Sequence, residues 1–219
     1  METSVARLTL VIGNKNYSSW SLRPWLALKA AGQPFDEVMI GLRQPETKAQ
    51  ILSHSPAGKV PALKHGDLLV WDSLAICEYV AESFPEAGLL PSDARARAVA
   101  RSVMSEMHAG FAALRRDLPM DIHSKGIAAG QPSEEARLDI ARVQQIWQDC
   151  RGRFGQDGDY LFGRFGIADC MYAPVATRFR TYRVALDPVS AAYVDAIYAL
   201  PAMQEWMAAA AKEEPLPEP

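Results

Sequence analysis

Three serine hydroxyls lie in the polar segment that follows the first apolar run of the chain. Ser18, Ser19 and Ser21 stand between Leu8–Ile12 and the first helical segment. Serine is favoured at the first positions of a helix, so helix capping is the interpretation that the spacing alone favours. The alternative is that one hydroxyl, together with the positive end of the helix dipole, faces an anion or a thiolate.

A valine–proline pair, Val60–Pro61, precedes a second apolar run. A proline at this place often marks the first residue of a strand, where no ladder hydrogen bond is lost. The alternative is a cis proline, which would turn the N–H and C=O of Val60 toward an extended peptide. Alone, the pair is a weak indication of function.

An aspartate and a serine, Asp72 and Ser73, separate the apolar run Leu68–Trp71 from a helical segment. Capping of that helix by Ser73 is the simplest interpretation. In the alternative, Ser73 and the helix N-terminus bind a ligand carboxylate. Asp72 would then pair with a ligand amine.

Other common catalytic patterns are absent from the sequence. There is no dinucleotide-binding Gly-x-Gly-x-x-Gly, no phosphate loop and no Gly-x-Ser-x-Gly turn. The histidines are too scattered to predict a metal site. They are His54, His65, His108 and His123.

The three cysteines form neither a disulfide framework nor a Cys-x-x-Cys pair. They are Cys77, Cys150 and Cys170. Because all three fall in helical segments among apolar neighbours, we expect structural roles for them. Their small number and wide spacing favour a reducing cytoplasm.

Composition excludes several classes of protein. The 219 residues are 49% hydrophobic and carry a net charge of −3, which indicates a globular chain with a sizeable core. No basic run is longer than Arg115–Arg116, so no nucleic-acid partner is expected. No apolar stretch approaches the roughly 18–20 residues of a membrane span. Met1–Arg7 also lacks the order of a signal peptide.

The chain changes character near residue 90. Before it, short β-like runs alternate with helical segments in the order β-α-β-α-β-β-α, which predicts a mixed sheet with helical crossovers. The segments are Leu8–Ile12, Ser21–Ala31, Phe35–Ile40, Pro45–Leu52, Val60–His65, Leu68–Trp71 and Ser73–Phe84.

After a Pro- and Gly-containing linker at 85–91, almost the whole chain is predicted to be helical. One long helix begins at Ser92–Asp93 and ends at Pro119. Its apolar face comprises Val99, Val103, Met107, Phe111, Leu114 and Leu118. A second helix opens at Ser133. Its predicted inward residues are Leu138, Ala141, Ile146, Trp147 and Cys150. Three more helices are predicted at 167–182, 191–198 and 201–211, before an acidic tail at 213–219 that we expect to fray.

Together, the serine-rich turn, Val60–Pro61 and Asp72–Ser73, followed by an all-helical half, resemble the cytosolic glutathione S-transferases. The resemblance covers nearly the whole chain. It implies an α/β plus all-α fold, with a thioredoxin-like glutathione-binding domain at 1–84. The segment 85–91 would be the linker, and 92–219 would form the all-helical domain.

Within that family, the chain resembles the zeta-type and related bacterial members, which carry paired serines and then a cysteine before the first helix. Ser18–Ser19 matches the pair, whereas Trp20 stands where the cysteine would be. Leu22–Trp25 replaces the basic segment of the zeta proteins. Both departures count against maleylacetoacetate as the substrate, and the missing cysteine counts against omega- and beta-type chemistry. Gly166–Asp169 resembles the capping box of the family, with Gly166 in place of the usual serine or threonine.

The resemblance implies a role for each motif. Ser18 would donate a hydrogen bond to the glutathione sulfur, with Ser19 as the close alternative. Val60 would form antiparallel backbone hydrogen bonds to the cysteinyl part, with Pro61 in cis. In the pair Asp72–Ser73, the serine would bind the γ-glutamyl carboxylate and the aspartate its amine. Lys59 would meet the glycyl carboxylate.

A pocket for the electrophilic substrate is expected between the first turn and the long predicted helix. Its candidate residues are Tyr17, Trp20, Met107, His108 and Phe111. Met107 and Phe111 also fit the apolar stripe of their helix, which favours a core position for both. His108 lies off that stripe, so it is either exposed or lines the pocket.

The expected activity is that of a glutathione transferase, in which a serine hydroxyl stabilises the thiolate for attack on a small electrophile. Glutathione would be the co-substrate, and no metal is expected. Two alternatives are a zeta-type glutathione-dependent isomerase and a protein that binds glutathione or apolar ligands with little turnover. The family also implies a homodimer and a cytoplasmic location.

Overall fold

The N-terminal part of the chain is a four-stranded mixed sheet covered by helices. The computed structural model describes residues 7–124 and 132–216. The elements follow in the order β-α-β-α-β-β-α that the sequence predicts. They are β1 (Leu8–Gly13), α1 (Ser19–Ala30), β2 (Phe35–Ile40), α2 (Thr47–Leu52), β3 (Ala62–His65), β4 (Leu68–Trp71) and α3 (Ser73–Ser83).

Strand β1 lies inside the sheet, whose order is β2-β1-β3-β4. It is parallel to β2 and antiparallel to β3, so it is protected on both edges. Leu10 and Ile12 belong to the main core together with residues of α1 and α3. Val11 packs instead in a smaller cluster with Ile51 of α2. Burial on both faces explains why this strand is apolar from Leu8 to Ile12 apart from Thr9.

The second part of the chain is helical in the described residues. Its helices are α4 (Ala94–Ala109), α5 (Ala112–Asp117), α6 (Glu134–Phe154), α7 (Ile167–Thr181), α8 (Pro188–Ala199) and α9 (Pro201–Ala210). A single 3-10 turn, Pro85–Ala87, lies in the predicted linker. Helix α7 is buried along almost its entire length and packs against both α1 and α4. It therefore joins the two parts in one core.

The long helix predicted from residue 93 to Pro119 is two helices. Gly110 has an extended conformation, and Phe111 adopts the left-handed conformation with φ 60°. A Cβ atom at Gly110 would lie 2.8 Å from the carbonyl oxygen of Glu106. Met107, Phe111 and Leu114 are nevertheless all buried, on both sides of the break. The apolar stripe therefore predicts which of these residues are buried, but it does not predict that the helix is interrupted.

The predicted inward face of α6 is partly wrong. Leu138 is 63% exposed, and Ala141 is exposed as well. The face that is buried comprises Ala136, Ile140, Val143, Ile146, Trp147 and Cys150. This set keeps the three- and four-residue steps of one helical face, whereas Leu138 and Ala141 lie outside it.

Several elements begin at other residues than predicted. Helix α1 starts at Ser19 rather than Ser21, because the N–H groups of Ser21 and Leu22 both reach the carbonyl oxygen of Ser18. Helix α8 starts at Pro188 because Asp187 caps it by accepting hydrogen bonds from the next two free N–H groups. Strand β3 starts at Ala62, directly after Val60–Pro61, rather than at Val60.

Asp169 holds the start of α7. Its carboxylate accepts hydrogen bonds from the N–H groups of Gly166 (2.9 Å) and Leu161 (3.1 Å) and from the Tyr193 hydroxyl (3.1 Å). The carbonyl oxygen of Leu89 accepts from the Ile167 N–H and lies 2.5 Å from the place of a Cβ atom on Gly166. A backbone carbonyl therefore takes the place of the side chain that the usual capping box would have here.

The acidic tail predicted to fray from residue 213 is partly ordered. The Glu213 carboxylate accepts hydrogen bonds from two backbone N–H groups near the start of α1. The end of the tail (217–219) and residues 1–6, to which the argument on signal peptides applies, lie outside the described residues. Among the helices that the structure describes, none combines the length and apolarity that crossing a bilayer requires.

Candidate active site

A cleft of about 540 Å³ opens where β3, the start of α3 and the end of α4 meet. It brings together residues that are distant in the sequence. Its lining comprises Trp20, Ala57, Lys59, Val60, Pro61, Trp71, Asp72, Ser73 and His108. The Lys59–Pro61 and Asp72–Ser73 motifs thus share one cavity with Trp20 and His108 from the predicted electrophile pocket.

The wall of the cleft before β3 has a free backbone segment. The Val60–Pro61 peptide bond is cis, as the resemblance implies. Within residues 7–124 and 132–216, neither the N–H nor the C=O of Val60 has a backbone hydrogen bond. Lys59 is exposed beside it. This segment offers one donor and one acceptor of the kind that an extended peptide uses in antiparallel pairing.

The start of α3 is capped by Asp72 and not by Ser73. Asp72 adopts a left-handed conformation with φ 75°, and its Oδ1 accepts hydrogen bonds from Leu74 N–H (2.9 Å) and Ala75 N–H (3.4 Å). Ser73 is the first residue of the helix and is only 1% exposed. Its hydroxyl is therefore not used as a cap and faces the cleft and a buried arginine instead.

That arginine is Arg23 of α1, which the sequence analysis did not identify as a site residue. Its Nη1 donates to Ser73 Oγ at 3.4 Å, and its Nε is buried without a hydrogen-bond partner among the described residues. Burial, together with a smaller effect of the neighbouring cation Arg115, lowers the pKa of Arg23 to about 9. One available signal was a charged residue inside the apolar stretch Leu22–Trp25, where no exposed face is expected.

Trp20 is held between cationic groups. Its ring centroid lies 4.3 Å from the guanidinium carbon of Arg23 and 4.7 Å from that of Arg115. The His108 ring and the indole pack in a T-shaped arrangement with 5.3 Å between their ring centroids. Cation–π contacts of this kind fix an aromatic ring most firmly where water is excluded. The indole that replaces the expected cysteine is thus a rigid part of the cleft wall.

His108 connects the helical part with the start of α3. Its Nε2 lies 3.3 Å from Asp72 Oδ2, and its Nδ1 is buried with no hydrogen-bond partner in the part of the chain that the structure describes. Burial lowers the pKa of His108 below its ordinary value, against the opposing effect of Asp72. The neighbouring charges of Arg23 and Arg115 also lower it. Of the two positions predicted for His108, exposed or lining the pocket, the structure shows the second.

The serines of the first turn lie beside the cleft rather than among its lining residues. Ser18 precedes α1 but makes no capping hydrogen bond through its side chain. Its Oγ lies 2.7 Å from Ser21 Oγ, which also accepts a hydrogen bond from Gly13 N–H. In the part of the chain that the structure describes, the Ser19 side chain has no hydrogen-bond partner. Capping therefore does not explain these hydroxyls.

The remaining predicted pocket residues lie elsewhere. Met107 and Phe111 are buried in the main core, which is the position that their stripe favoured. Tyr17 is half-buried in the loop before α1 and is not part of the cleft wall. Among the described residues, no group of three histidine, cysteine or acidic side chains is arranged to hold a metal ion.

Two family models match this chain, one in each part of the fold. The model described as glutathione S-transferase, N-terminal domain matches residues 17–83. The model described as glutathione S-transferase, C-terminal domain matches residues 93–209. The chain belongs to the glutathione S-transferase family. Its architecture is accordingly the thioredoxin-like βαβαββα unit followed by the all-helical C-terminal domain of that family.

Similar sequences include zeta-class transferases. Glutathione S-transferase Z2 of Arabidopsis thaliana is 27% identical over 203 residues, or 87% of this chain and 88% of that protein. Glutathione S-transferase 1 of Dianthus caryophyllus is 41% identical over 159 residues, covering 72% and 71%. Maleylacetoacetate isomerase of Rattus norvegicus is 28% identical over 182 residues, covering 78% and 77%.

Solved structures of the family share this fold. A glutathione transferase homolog from Burkholderia, with bound glutathione, superposes with a TM-score of 0.72 at 22% identity over 95% of this chain and 100% of that one. A Tau class transferase from the mango Mangifera indica superposes with a TM-score of 0.70 at 20% identity over 92% of each chain.

Proposed function

We propose that this chain binds glutathione in the cleft and activates its thiol for attack on a small electrophile. The observation that carries the proposal is the meeting of Val60, Asp72 and Ser73 in one cavity beside the N-terminus of α1. Val60 has the free backbone groups, Asp72 a carboxylate oxygen and Ser73 a hydroxyl not used for capping. These match the cysteinyl amide, the ammonium and the carboxylate of the γ-glutamyl tripeptide.

Family membership and the similarity to a fold with bound glutathione support the same ligand. In this proposal Lys59 pairs with the glycyl carboxylate at the outer end of the cleft. The positive charge of Arg23, behind Ser73, attracts the γ-glutamyl carboxylate through the serine hydroxyl. The tripeptide then lies across the cleft with its sulfur directed toward the start of α1.

The energy needed to activate the thiol is modest. A free thiol with a pKa of about 8.5 is only about 3% thiolate at pH 7. Lowering that pKa by about two units costs roughly 2.7 kcal/mol. A hydrogen bond to a charged group supplies roughly 1.5–3 kcal/mol, and a helix N-terminus adds about 0.3–1 kcal/mol. A neutral hydroxyl therefore suffices as a donor, and no general base is required.

Ser18 is the proposed donor. Ser21 Oγ accepts from Gly13 N–H, so the Ser21 hydroxyl hydrogen is free to point at Ser18 Oγ. In that arrangement the Ser18 hydrogen is available to the sulfur. Ser19, whose hydroxyl has no partner within the described chain, is the second choice. The thiolate sulfur then forms a bond to the electrophilic carbon, and a leaving group such as halide departs with its electron pair.

The direct test is conjugation of glutathione to an aryl chloride by the wild-type protein, Ser18→Ala and Ser19→Ala. Ser102→Ala is the control, since Ser102 is exposed on α4 and bonds only to its own helix. We expect Ser18→Ala to lower kcat/KM by about tenfold to a hundredfold, the value of a hydrogen bond to a charged group. A larger loss in Ser19→Ala would identify the second serine as the donor. If neither variant falls below the control, the serine mechanism is wrong.

A glutathione-dependent isomerase is the second candidate. The similarity to a maleylacetoacetate isomerase favours it, whereas Trp20 in place of the zeta-type cysteine counts against it. Direct assay with maleylacetoacetate distinguishes the two activities. A third outcome, tight uptake of glutathione with turnover in neither assay, would favour a binding protein.

The family also leads us to propose a cytoplasmic homodimer with the division into domains at 1–84 and 92–219. Light scattering on the purified chain tests the assembly. A mass near twice the 24.1 kDa of one chain would support it, and a mass near 24.1 kDa would contradict it.

A further inference from the structure

The loop between β1 and α1 is held from outside by the end of the chain. The Glu213 carboxylate accepts two hydrogen bonds, from Lys15 N–H at 2.7 Å and from Asn16 N–H at 3.0 Å. Trp206 of α9 donates its indole N–H to the Lys15 carbonyl oxygen at 2.9 Å. Groups 191–198 positions further along the sequence thus bind both peptide groups that flank Lys15.

Asn16 is completely buried at this junction. Its side-chain Nδ2 donates to Asp121 Oδ1 at 2.9 Å, and its Oδ1 accepts from His123 N–H at 2.8 Å. Its carbonyl oxygen accepts from Ile122 N–H at 3.4 Å. With the bond to Glu213, all four kinds of polar group on Asn16 are bound by the helical part of the chain. A buried residue with a hydrogen bond to every one of its polar atoms is held in one position.

Ser18 follows this anchored residue by two positions. The N–H groups of Tyr17 and Ser18 both bond to the carbonyl oxygen of Asn14 (3.2 and 2.8 Å), so the turn from Asn14 to Ser18 is one short rigid unit. Its orientation depends on the contacts that hold Lys15 and Asn16. We infer that Glu213 is a positioning residue that sets where the thiol-activating serine hydroxyl points. This inference rests on the proposed function.

Glu213 contacts none of the groups proposed to recognise the tripeptide, because Val60, Asp72 and Ser73 belong to β3, α3 and their approaches. Its loss should leave glutathione binding intact while displacing the serine from the sulfur. An interaction that is used at the reacting atom but not for ground-state binding lowers kcat rather than raising KM.

The test compares Glu213→Gln with Glu214→Gln in the full-length chain. Glutamine keeps one acceptor oxygen but directs an NH₂ group at the second backbone N–H, so one of the two bonds is replaced by a repulsive contact. Glu214 is the exposed neighbour in the same tail and has no hydrogen bond in the part of the chain that the structure describes. The measurements are kcat and KM for glutathione, the pKa of bound thiol from thiolate absorbance, and the midpoint of thermal unfolding.

For Glu213→Gln we expect kcat to fall about tenfold with KM for glutathione within about twofold of wild type. We also expect a raised pKa of the bound thiol. Glu214→Gln should match wild type. If wild type is active and the two variants are alike in kcat and thiol pKa, the inference is overturned, even if Glu213→Gln unfolds at lower temperature. If wild type itself has no glutathione-dependent activity, the proposed function fails first and this inference with it.

Discussion

The imidazole Nε2 of His108 lies 3.3 Å from Asp72 Oδ2, across the cleft from the start of α3. This is the oxygen that Asp72 has left for a ligand, because its Oδ1 caps the helix. In the free protein the histidine of the helical part therefore occupies the position proposed for the γ-glutamyl ammonium.

Competition between these two groups predicts a pH dependence of glutathione binding. Burial, and the charges of Arg23 and Arg115, hold the pKa of His108 below its ordinary value of 6.5. Above that pKa the ring is neutral and yields Asp72 to the ammonium. Below it, the imidazolium binds Asp72 and repels the ligand. KM for glutathione, measured from pH 5 to 8, should thus rise only on the acid side of pH 6.5.

His108→Gln should remove this acid limb, because the amide carries no charge at any pH in that range. The variant and wild type should agree above pH 7. An acid rise in KM of equal size in both proteins would show that another group titrates, and it would exclude His108 as its origin.

We expect Arg23 to lower the stability of the folded chain and to contribute to glutathione binding. Arg23 is 1% exposed, and its Nε has no hydrogen-bond partner within residues 7–124 and 132–216. Its pKa is lowered to about 9, chiefly by burial. Since the folded state disfavours the charged form, the contribution of Arg23 to stability is least favourable at every pH below about 9 and improves as pH rises through about 9. Because Arg23 forms no ion pair with any residue that the structure describes, Arg23→Met should leave the melting temperature unchanged or raise it.

The same substitution removes the donor to Ser73 Oγ and the nearby positive charge. We expect KM for glutathione to rise about tenfold, in line with the loss of one charge-assisted hydrogen-bonding group. Arg142→Met is the control, because Arg142 pairs with Glu106 on the exposed side of α4 and α6. A fall in melting temperature with unchanged KM would assign Arg23 to the fold alone.

Motif order and apolar periodicity predicted the elements of the sheet and their order, because short-range hydrophobic patterns determine both. They placed Val60, Asp72 and Ser73 in one site only through the family resemblance. They did not predict what Arg23 and Glu213 contact. An arginine in a short apolar helix and a glutamate in a polar tail carry no local signal of their contacts, which lie 50 and about 198 positions away.

The break at Gly110 was missed for a different reason. A glycine inside an apolar stripe is tolerated in a helix at a modest cost, so the sequence does not distinguish a continuous helix from two helices that share a stripe. Tertiary interactions decide between these two arrangements. The N–H of Leu114, at the start of α5, donates a hydrogen bond to the Asp139 carboxylate of α6 at 3.0 Å. This bond stabilises the second helix independently of the first.

Asp169 should make stability depend on pH. Its burial raises its folded-state pKa to about 6, above the value of about 3.9 of an unfolded aspartate. The folded state therefore binds the proton more tightly, so this contribution to stability is complete below about pH 4 and is lost as pH rises through about 6. Asp169→Asn does not titrate, and its amide cannot accept all three hydrogen bonds.

Urea unfolding at pH 4.5 and 7.5 measures this contribution. At pH 7.5 we expect Asp169→Asn to lower the free energy of unfolding by about 1–3 kcal/mol, the cost of a buried unpaired donor. At pH 4.5 the difference from wild type should be larger. Asp149→Asn, on the exposed face of α6, should show no difference at either pH. A deficit of Asp169→Asn that shrinks at pH 4.5 would contradict the raised pKa.

Gly166 offers a test in which the residue typical of the family should be harmful. Serine at this position would complete the usual capping box, and capping alone stabilises a helix by about 1 kcal/mol. In this chain the carbonyl oxygen of Leu89 lies 2.5 Å from where its Cβ would be. The same oxygen already accepts the Ile167 N–H. Gly166→Ser and Gly166→Ala should therefore both lower the free energy of unfolding, by about 1–3 kcal/mol, through the displacement of this segment.

The matched control is Gly152→Ala in α6, where no atom lies within 4 Å of an added Cβ. A helical glycine without a neighbour gains about 0.5–1 kcal/mol on replacement by alanine, so this variant should unfold at a higher urea concentration than wild type. The two alanine variants thus differ in sign for a single physical reason, which is the presence or absence of a backbone carbonyl at the Cβ position. If Gly166→Ala is as stable as Gly152→Ala, the Leu89 carbonyl moves aside freely and does not hold the start of α7.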